Sequence, residues 1–318
     1  MSTPTPRLAI GIDVGGTKIA GAVVDEEGRI LRRHRVTSPA TETDAIEDAI
    51  AGLVADLRAD HPVTHVGVGA AGYVDADRAT MRFSPNLAWR DVDLKGELAE
   101  RIDLPLVVEN DANAAAWGEF RFGAGADVEE FLMVTVGTGV GGGVVLGGQL
   151  QRGAYGFAAE IGHLRVVPGG RPCGCGQHGC LEQYGSGSAL VRGVRDDAAE
   201  GVPGAVKLLD HAGGDPEEIT GPLVSAAAAA GDEYAVDQLA RLGRWVGEGV
   251  ASLVAVLDPA AIVVGGGVSE AGPLLLDPMR ESFVEHLSVR GHRPVAEIRA
   301  ARLGNDAGVI GAADLARR

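Results

Sequence analysis

Cysteine, lysine and long apolar runs are all scarce in this chain. Its 318 residues include only three cysteines, all between Cys173 and Cys180. An odd number this small excludes the disulfide framework of a secreted mini-protein. No stretch stays apolar for the roughly 20 residues that a membrane helix needs. The formal net charge is −16, and the densest basic run, Arg32-Arg33-His34-Arg35, is short. A polyanion would be repelled over most of such a surface, so neither a nucleic-acid nor a membrane partner is expected. The polar start, Met1 to Pro6, lacks the apolar segment of a signal peptide, which predicts a cytoplasmic protein.

Two nucleotide-binding signatures are also missing. No Gly-x-x-x-x-Gly-Lys-Ser/Thr occurs, which excludes a P-loop. Outside the Cys173–Cys180 segment, Gly-x-Gly-x-x-Gly occurs at Gly67-Gly69-Gly72 and at Gly137-Gly139-Gly142. A dinucleotide fold needs a helix directly after that turn, with its N-terminus on the pyrophosphate. The first match runs into Asp75-Ala76-Asp77 and the second into the strand residues Val144-Val145. Both fail the test of context.

Apolar residues make up 46% of the chain and charged residues 23%, an ordinary globular balance at a length that suits two domains. Leu8 to Val14, Ile19 to Val24 and Ile30 to Val36 read as three antiparallel strands. Thr41 is expected to open a helix, with Asp44 as its capping-box partner and Ile46, Ile50, Leu53 and Leu57 on its buried face. A strand from His65 to Ala70, a long loop through Ser84-Pro85-Asn86 and a short helix from Leu94 follow. Leu106 to Glu109 is then a strand leading into a helix over Ala112 to Phe122. The pattern restarts at Phe131. Gly16–Val24 aligns with Gly137–Val145 at a constant offset of 121, with five of nine positions identical. That repeat predicts two related halves, each with a glycine-rich hairpin tip. Further on, Ala235 to Leu257 is a long amphipathic helix, Ala261 to Val264 a buried strand and Gly265-Gly266-Gly267 a turn. Val295 to Ala300 is a late strand, and Asn305-Asp306 is expected to cap a terminal helix.

Three groups of residues carry chemistry. Asp13-Val14-Gly15-Gly16-Thr17-Lys18 sets a carboxylate at a strand end, then two glycines, a hydroxyl and one of only three lysines. Glycines let backbone N–H groups approach phosphate oxygens, Thr17 can donate to one, and Lys18 supplies a point charge. Asp13 can hold Mg²⁺ through water. Gly137-Thr138-Gly139 offers donors at the second tip. Val107 to Asn113 is a buried strand ending in Glu109-Asn110-Asp111 just before a helix, where α/β folds collect ligands. Asp111 suits either a helix N-cap or a general base that accepts a hydroxyl proton during phosphoryl transfer. Lastly, His163, Cys173, Cys175 and Cys180 form His-x₉-Cys-x-Cys-x₄-Cys, the ligand set of a closed tetrahedral zinc site. Gly174, Gly176 and Gly179 permit its turns. A structural zinc there would pin Glu160 and Glu182, which flank it, near one place, where carboxylates suit a polyhydroxylated ligand.

Taken in order, Asp13–Lys18, Glu109–Asn113, Glu160–His163 and Cys173–Glu182 resemble the ROK family (repressors, open reading frames and kinases), above all its glucose-phosphorylating bacterial members. The resemblance spans essentially the whole chain. It implies an α/β, actin-like, hexokinase-type (ribonuclease H-like) fold of two domains with a cleft between them and a duplicated strand-triplet core. Residues 1–109 with 301–318 would form one domain and 110–300 the other, the C-terminal helix returning to the first. The implied reaction is transfer of phosphate from ATP, with Mg²⁺, to the 6-hydroxyl of glucose. Asp111 matches the family's base, and Asn86, Asn110, Glu160, His163 and Glu182 match its sugar contacts, His163 serving both zinc and sugar. Asp13, Gly16, Thr17 and Thr138 match phosphate-side positions, with Gly15, Lys18, Gly137 and Gly139 beside them in the same loops. Gly265, Gly266 and Gly267 match the turn near adenosine. A homodimer or homotetramer is expected. Kinases for N-acetylmannosamine, N-acetylglucosamine, fructose or allose share most of these motifs, and a non-catalytic sugar sensor shares the fold. The family's repressors carry a helix-turn-helix segment ahead of the kinase-like part, for which the early Asp13 loop leaves no room.

Overall fold

The computed structural model describes residues 7–318, so the polar Met1–Pro6 segment lies outside the described residues. The elements run β1 (Leu8–Val14), β2 (Lys18–Val24), β3 (Ile30–Thr37), α1 (Thr43–Arg58), β4 (Val63–Ala70), β5 (Tyr73–Val74), β6 (Met81–Phe83) and β7 (Arg90–Val92). They continue through α2 (Leu94–Arg101), β8 (Leu106–Asn110), α3 (Asp111–Phe122), β9 (Phe131–Val136), β10 (Val140–Leu146) and β11 (Gln149–Leu150). Next come α4 (Glu182–Gly185), α5 (Gly187–Ala199), α6 (Pro203–His211), α7 (Gly221–Ala229) and α8 (Glu233–Leu257). The chain ends with β12 (Ala261–Gly265), α9 (Pro273–His286), β13 (Glu297–Ala300) and α10 (Ala307–Ala316).

Two five-stranded sheets carry the chain, in the orders β3-β2-β1-β4-β8 and β11-β10-β9-β12-β13. The first is an antiparallel triplet with two parallel strands added beside β1, and in the second β10 and β11 pair antiparallel while β12 and β13 pair parallel. That is the duplication the hairpin repeat predicts. The chain divides into two compact units. Unit 1 is Met1–Leu132, Gly143–Ala159 and Ala301–Arg318, and unit 2 is Met133–Gly142 and Glu160–Ala300. The expected boundary near Asn110 would part α3 from the first unit. Instead α3 stays in unit 1 with α10, joined by the Trp117 Nε1 to Asp314 Oδ2 hydrogen bond of 2.9 Å.

In unit 1 the sheet is covered on both faces. The α1 residues Ile46, Ile50, Leu53 and Leu57 bury against Ile10, Ile12 and Val68. On the other face Val309, Ile310 and Ala313 of α10 meet Ala9, Ala22 and Val24. The α10 backbone comes so close that a Cβ on Gly11 or Gly67 would run into the Val309 or Ala312 carbonyl. Glycine is therefore required at both positions.

Two expected caps do not form. The first helix begins at Thr43 with Glu42 at its N-cap and no side-chain cap bond, so Thr41 and Asp44 do not make a capping box. Asp306 stands at the N-cap of α10 without capping it. Its carboxylate instead takes the Arg33 guanidinium at 2.8 Å. Opposite charge from a distant strand wins over the local N–H groups. The long loop after Ala70 holds a three-stranded sheet, β5-β6-β7, that the sequence reading lacks.

Candidate active site

The register of the first sheet brings the acidic residues together. Parallel pairing sets Asp13 beside Gly69 and Gly69 beside Glu109, with Val14, Ala70 and Asn110 in the next row. The carboxyl ends of β1, β4 and β8 therefore present Asp13, Asn110 and Asp111 on one edge. The N-cap of α3 is Asn110, whose Oδ1 accepts the Asn113 N–H at 2.9 Å. This releases Asp111 from the capping role that its position also allowed. Asn110 Nδ2 donates to the Gly72 carbonyl at 2.9 Å, leaving one N–H and one lone pair for a ligand.

Both carboxyl groups are held above the ordinary aspartate range. Burial is the main cause for Asp111, opposed by its own N–H and that of Ala112. Asp13 is raised to about 6, first by burial and then by the charge of Asp111, with Lys18 pulling the other way. Two carboxylates so placed favour a proton or a cation between them.

Beside Asp13 the loop closes with a 3.0 Å bond from Gly15 N–H to the Lys18 carbonyl, leaving Thr17 and Lys18 exposed. Neither Gly15 nor Gly16 needs positive φ. Their use is space: a Cβ on Gly16 would lie 3.2 Å from the Asn86 carbonyl oxygen. Asn86 thus sits against the phosphate-type loop.

The remaining candidates lie in unit 2. Gly137-Thr138-Gly139 is braced at the start of α5, where Gly187 N–H donates to the Gly137 carbonyl at 2.7 Å and Ser188 N–H to the Thr138 carbonyl at 3.2 Å. Glu182 accepts the Val140 N–H at 3.2 Å, and a Cβ on Gly139 would collide with its carboxylate. Thr138 and Gly267 both line a cavity of about 1120 Å³ walled by α5 and α7 residues, among them Leu190, Val191 and Pro222. Gly265 ends β12, and Gly266 takes φ 85° against the Val136 backbone. These two shape the turn without lining the cavity.

His163, Cys173, Cys175 and Cys180 converge, with all their ligand atoms within 4.8 Å of one another. Cys173 Sγ lies 3.7 Å from His163 Nδ1, and Cys175 Sγ 3.7 Å from Cys180 Sγ. A tetrahedron of thiolates at Zn–S ~2.3 Å has edges of about 3.8 Å, so the group fits zinc. Gly176 and Gly179 occupy positive φ in the connecting turns, but Gly174 does not. Glu160 and Glu182 are half-buried on either side of the cluster in sequence.

Residues 9–318 match the model of the ROK family. The chain belongs to the ROK family. Across 98% of both chains it is 51% identical to a glucokinase of Streptomyces coelicolor. A crystal structure of a ROK family glucokinase from Streptomyces griseus, in complex with glucose and AMPPNP, superposes with a TM-score of 0.89. Identity there is 52%, covering 98% of this chain and 99% of that one. An N-acetylmannosamine kinase of Escherichia coli is 36% identical over 97% of this chain and 98% of its own length. The ROK relationship carries the actin-like two-domain fold, with which the two five-stranded sheets agree. Among the described residues no helix is long and apolar enough to cross a membrane.

Sequence reasoning did not find two residues beneath the acidic edge. Arg78 and Arg152 both pair with Glu109, at 3.2 and 2.8 Å.

The raised Asp13 yields a prediction in the nucleotide-free protein. Its folded pKa of about 6 exceeds the ordinary 3.8, so ionising it costs more in the folded state than in the unfolded one. This group's contribution to stability is greatest below pH ~4 and falls as pH rises through about 6. Asp13→Asn should therefore melt higher than the parent at pH 8, by a margin that shrinks to nothing near pH 4. Thermal melts across that range check it. A variant that melts lower at pH 8 would show that the carboxylate is stabilised where it stands.

Proposed function

We propose that this ROK protein transfers the γ-phosphoryl group of MgATP to the 6-hydroxyl of glucose, with Asp111 as general base. The observation that carries the reading is the full-length likeness to an enzyme crystallised with glucose and AMPPNP, an ATP analogue. The site chemistry supports it. Asp111 is a desolvated carboxylate at a helix start, raised toward the pH at which a base works best. Phosphoryl transfer passes through a loose transition state, so positioning and charge neutralisation supply most of the acceleration.

The residues take these roles. Asp111 accepts the proton from the 6-hydroxyl as the O–P bond forms and the bond to ADP breaks. Asn110 and Asn86 in unit 1, and Glu160, His163 and Glu182 in unit 2, hydrogen-bond sugar hydroxyls. Gly15, Gly16, Thr17 and Lys18, with Gly137, Thr138 and Gly139, hold phosphate oxygens. Gly265, Gly266 and Gly267 shape the turn beside adenosine. Asp13 holds the Mg²⁺ of the nucleotide, whose charge neutralises phosphate oxygens when bound. His163, Cys173, Cys175 and Cys180 hold a structural zinc. His163 would hold that metal through Nδ1, the ring nitrogen that faces Cys173 Sγ at 3.7 Å, and would keep Nε2 for the sugar. We place the enzyme in the cytoplasm, where thiols stay reduced for zinc.

The test is ADP release from the purified protein with MgATP and a panel of glucose, mannose, fructose, allose and N-acetylated hexosamines. Glucose should give the highest kcat/KM. Higher kcat/KM with N-acetylmannosamine would transfer the specificity to that sugar and leave the base and zinc assignments standing. No turnover with any sugar would sink the kinase reading.

A further inference from the structure

Behind Asp111 lies a buried charge cluster that the reaction does not touch. Glu109 is fully buried, yet no lysine or arginine lies near it in sequence. Its Oε1 accepts the Asn110 N–H at 2.9 Å and Asn113 Nδ2 at 3.2 Å. Its Oε2 faces Arg152 Nε at 2.8 Å and Arg78 Nε at 3.2 Å. The Arg152 side chain is only 10% exposed and that of Arg78 27%. Arg152 also donates to the Ala76 and Asp75 carbonyls, each at 2.8 Å. Arg78 adopts φ 55°, a left-handed conformation that a non-glycine residue holds at a cost. The turn that carries it follows β5, and Gly72, just before that strand, takes Asn110 Nδ2 on its carbonyl.

A buried ion cluster of this kind is seldom worth more to stability than apolar side chains of the same volume. Its value must be sought in what it positions. One carboxylate here ties the backbone of Asn110, the side chain of Asn113 and, through two arginines, the 74–78 turn. Asn110 is therefore fixed from behind at its backbone and from the side at Gly72, and Asn113 at its side chain, so the residues on both sides of Asp111 in the first turn of α3 are held.

We propose that Glu109, Arg78 and Arg152 form a positioning cluster that sets the Asp111 carboxylate and the Asn110 amide for the sugar hydroxyl. The inference rests on the reading of Asp111 as base. None of the three touches substrate in this account. A displacement of about 1 Å at the reacting atoms costs on the order of 10²-fold in rate, which is the scale of effect expected.

Three variants test it. Glu109→Gln leaves two arginines facing no anion, one of them almost fully buried, and should melt well below the parent. The double variant Glu109→Gln/Arg152→Met removes the buried cation as well and should recover most of that loss. If the cluster positions the base, the recovered double variant still turns over glucose about 10²-fold more slowly, with the KM for ATP unchanged. Arg78→Gln, at a partly exposed position, should keep the parent melting temperature and lose about tenfold in kcat. A double variant, or an Arg78→Gln variant, with parent stability and a kcat within twofold of the parent overturns the proposal. Asp111→Asn, assayed alongside, separates the two levels. If it turns over like the parent, the base assignment falls and takes the proposal with it. If it is inactive while the cluster variants are fast, the proposal alone falls.

Discussion

Asp111→Asn will phosphorylate glucose about 10²–10⁴-fold more slowly than the parent protein and will melt no lower. The two halves of this expectation have one cause. Burial holds the Asp111 carboxyl above the usual range, and the neighbouring Asp13 carboxyl is raised to about 6 in part by Asp111. An ionised Asp111 is therefore costly to the fold, and it is the form that the proposed reaction needs. The amide keeps the shape and can still donate to a sugar hydroxyl, but it cannot accept a proton. Because the base must be unprotonated, kcat/KM should rise with pH on the acid side, with its midpoint above the ordinary aspartate value of 3.8. The charge of Asp111 in turn helps to raise Asp13. Steady-state ADP release across pH, with thermal melts of both proteins, reads all of this. An Asn variant within tenfold of the parent would assign the proton to another acceptor. A variant with a lower melting temperature would show the carboxylate to be structural.

Much of this site was legible because its residues are close in sequence. Asp13 to Lys18 and Asn110 to Asn113 each sit in one strand-to-loop junction, and the four proposed zinc ligands lie within 18 residues. Parallel strands then bring separate junctions to one edge, as Asp13, Gly69 and Glu109 show. What was not legible depends on distance. Arg78 and Arg152 meet Glu109 across 31 and 43 residues, and nothing local marks either arginine as buried. Very short strands were equally silent. The strands β5, β6 and β7 have two or three residues each, too few for alternation to register. The triplet β1–β3 and the buried face of α1 have seven or more residues and were readable. The cap expectations at Thr41 and Asp306 failed for a third reason. A short polar side chain satisfies the sequence rule wherever it stands, but a guanidinium reaching Asp306 from β3 outcompetes the backbone.

Stripping the zinc should lower stability and glucose affinity together while leaving ATP affinity almost unchanged. The segment from Glu160 to Glu182 has little regular structure to hold it, only one 3-10 turn before α4 begins. Two isolated bridges, Arg165 to Cys180 and Pro172 to His178, are its ladder. Convergence of the ligand atoms within 4.8 Å is the arrangement a metal would brace. Without a cation, burial and the neighbouring thiols push Cys180 up to about 12, so three thiolates cannot coexist there. Zinc reverses that balance by binding the deprotonated sulfurs, and its binding energy becomes folding energy for the segment. The proposed sugar ligands Glu160, His163 and Glu182 stand at its two ends. The cavity walls on α5 and α7 lie outside this segment, which touches the Thr138 loop only where Glu182 accepts the Val140 N–H, and the nucleotide should therefore be largely spared. Chelation, or Cys180→Ser, should raise the KM for glucose at least tenfold, equivalent to about 1.4 kcal/mol. The melting temperature should fall by at least several degrees, since ~1 kcal/mol moves it by about 2–4 °C in a unit of roughly 150–250 residues. Metal analysis, melts and the two KM values must be taken on the same samples. Metal lost with neither quantity moved would leave the cluster without the bracing role. Equal loss of glucose and ATP affinity would mean that zinc holds the whole of unit 2 rather than the sugar-binding segment.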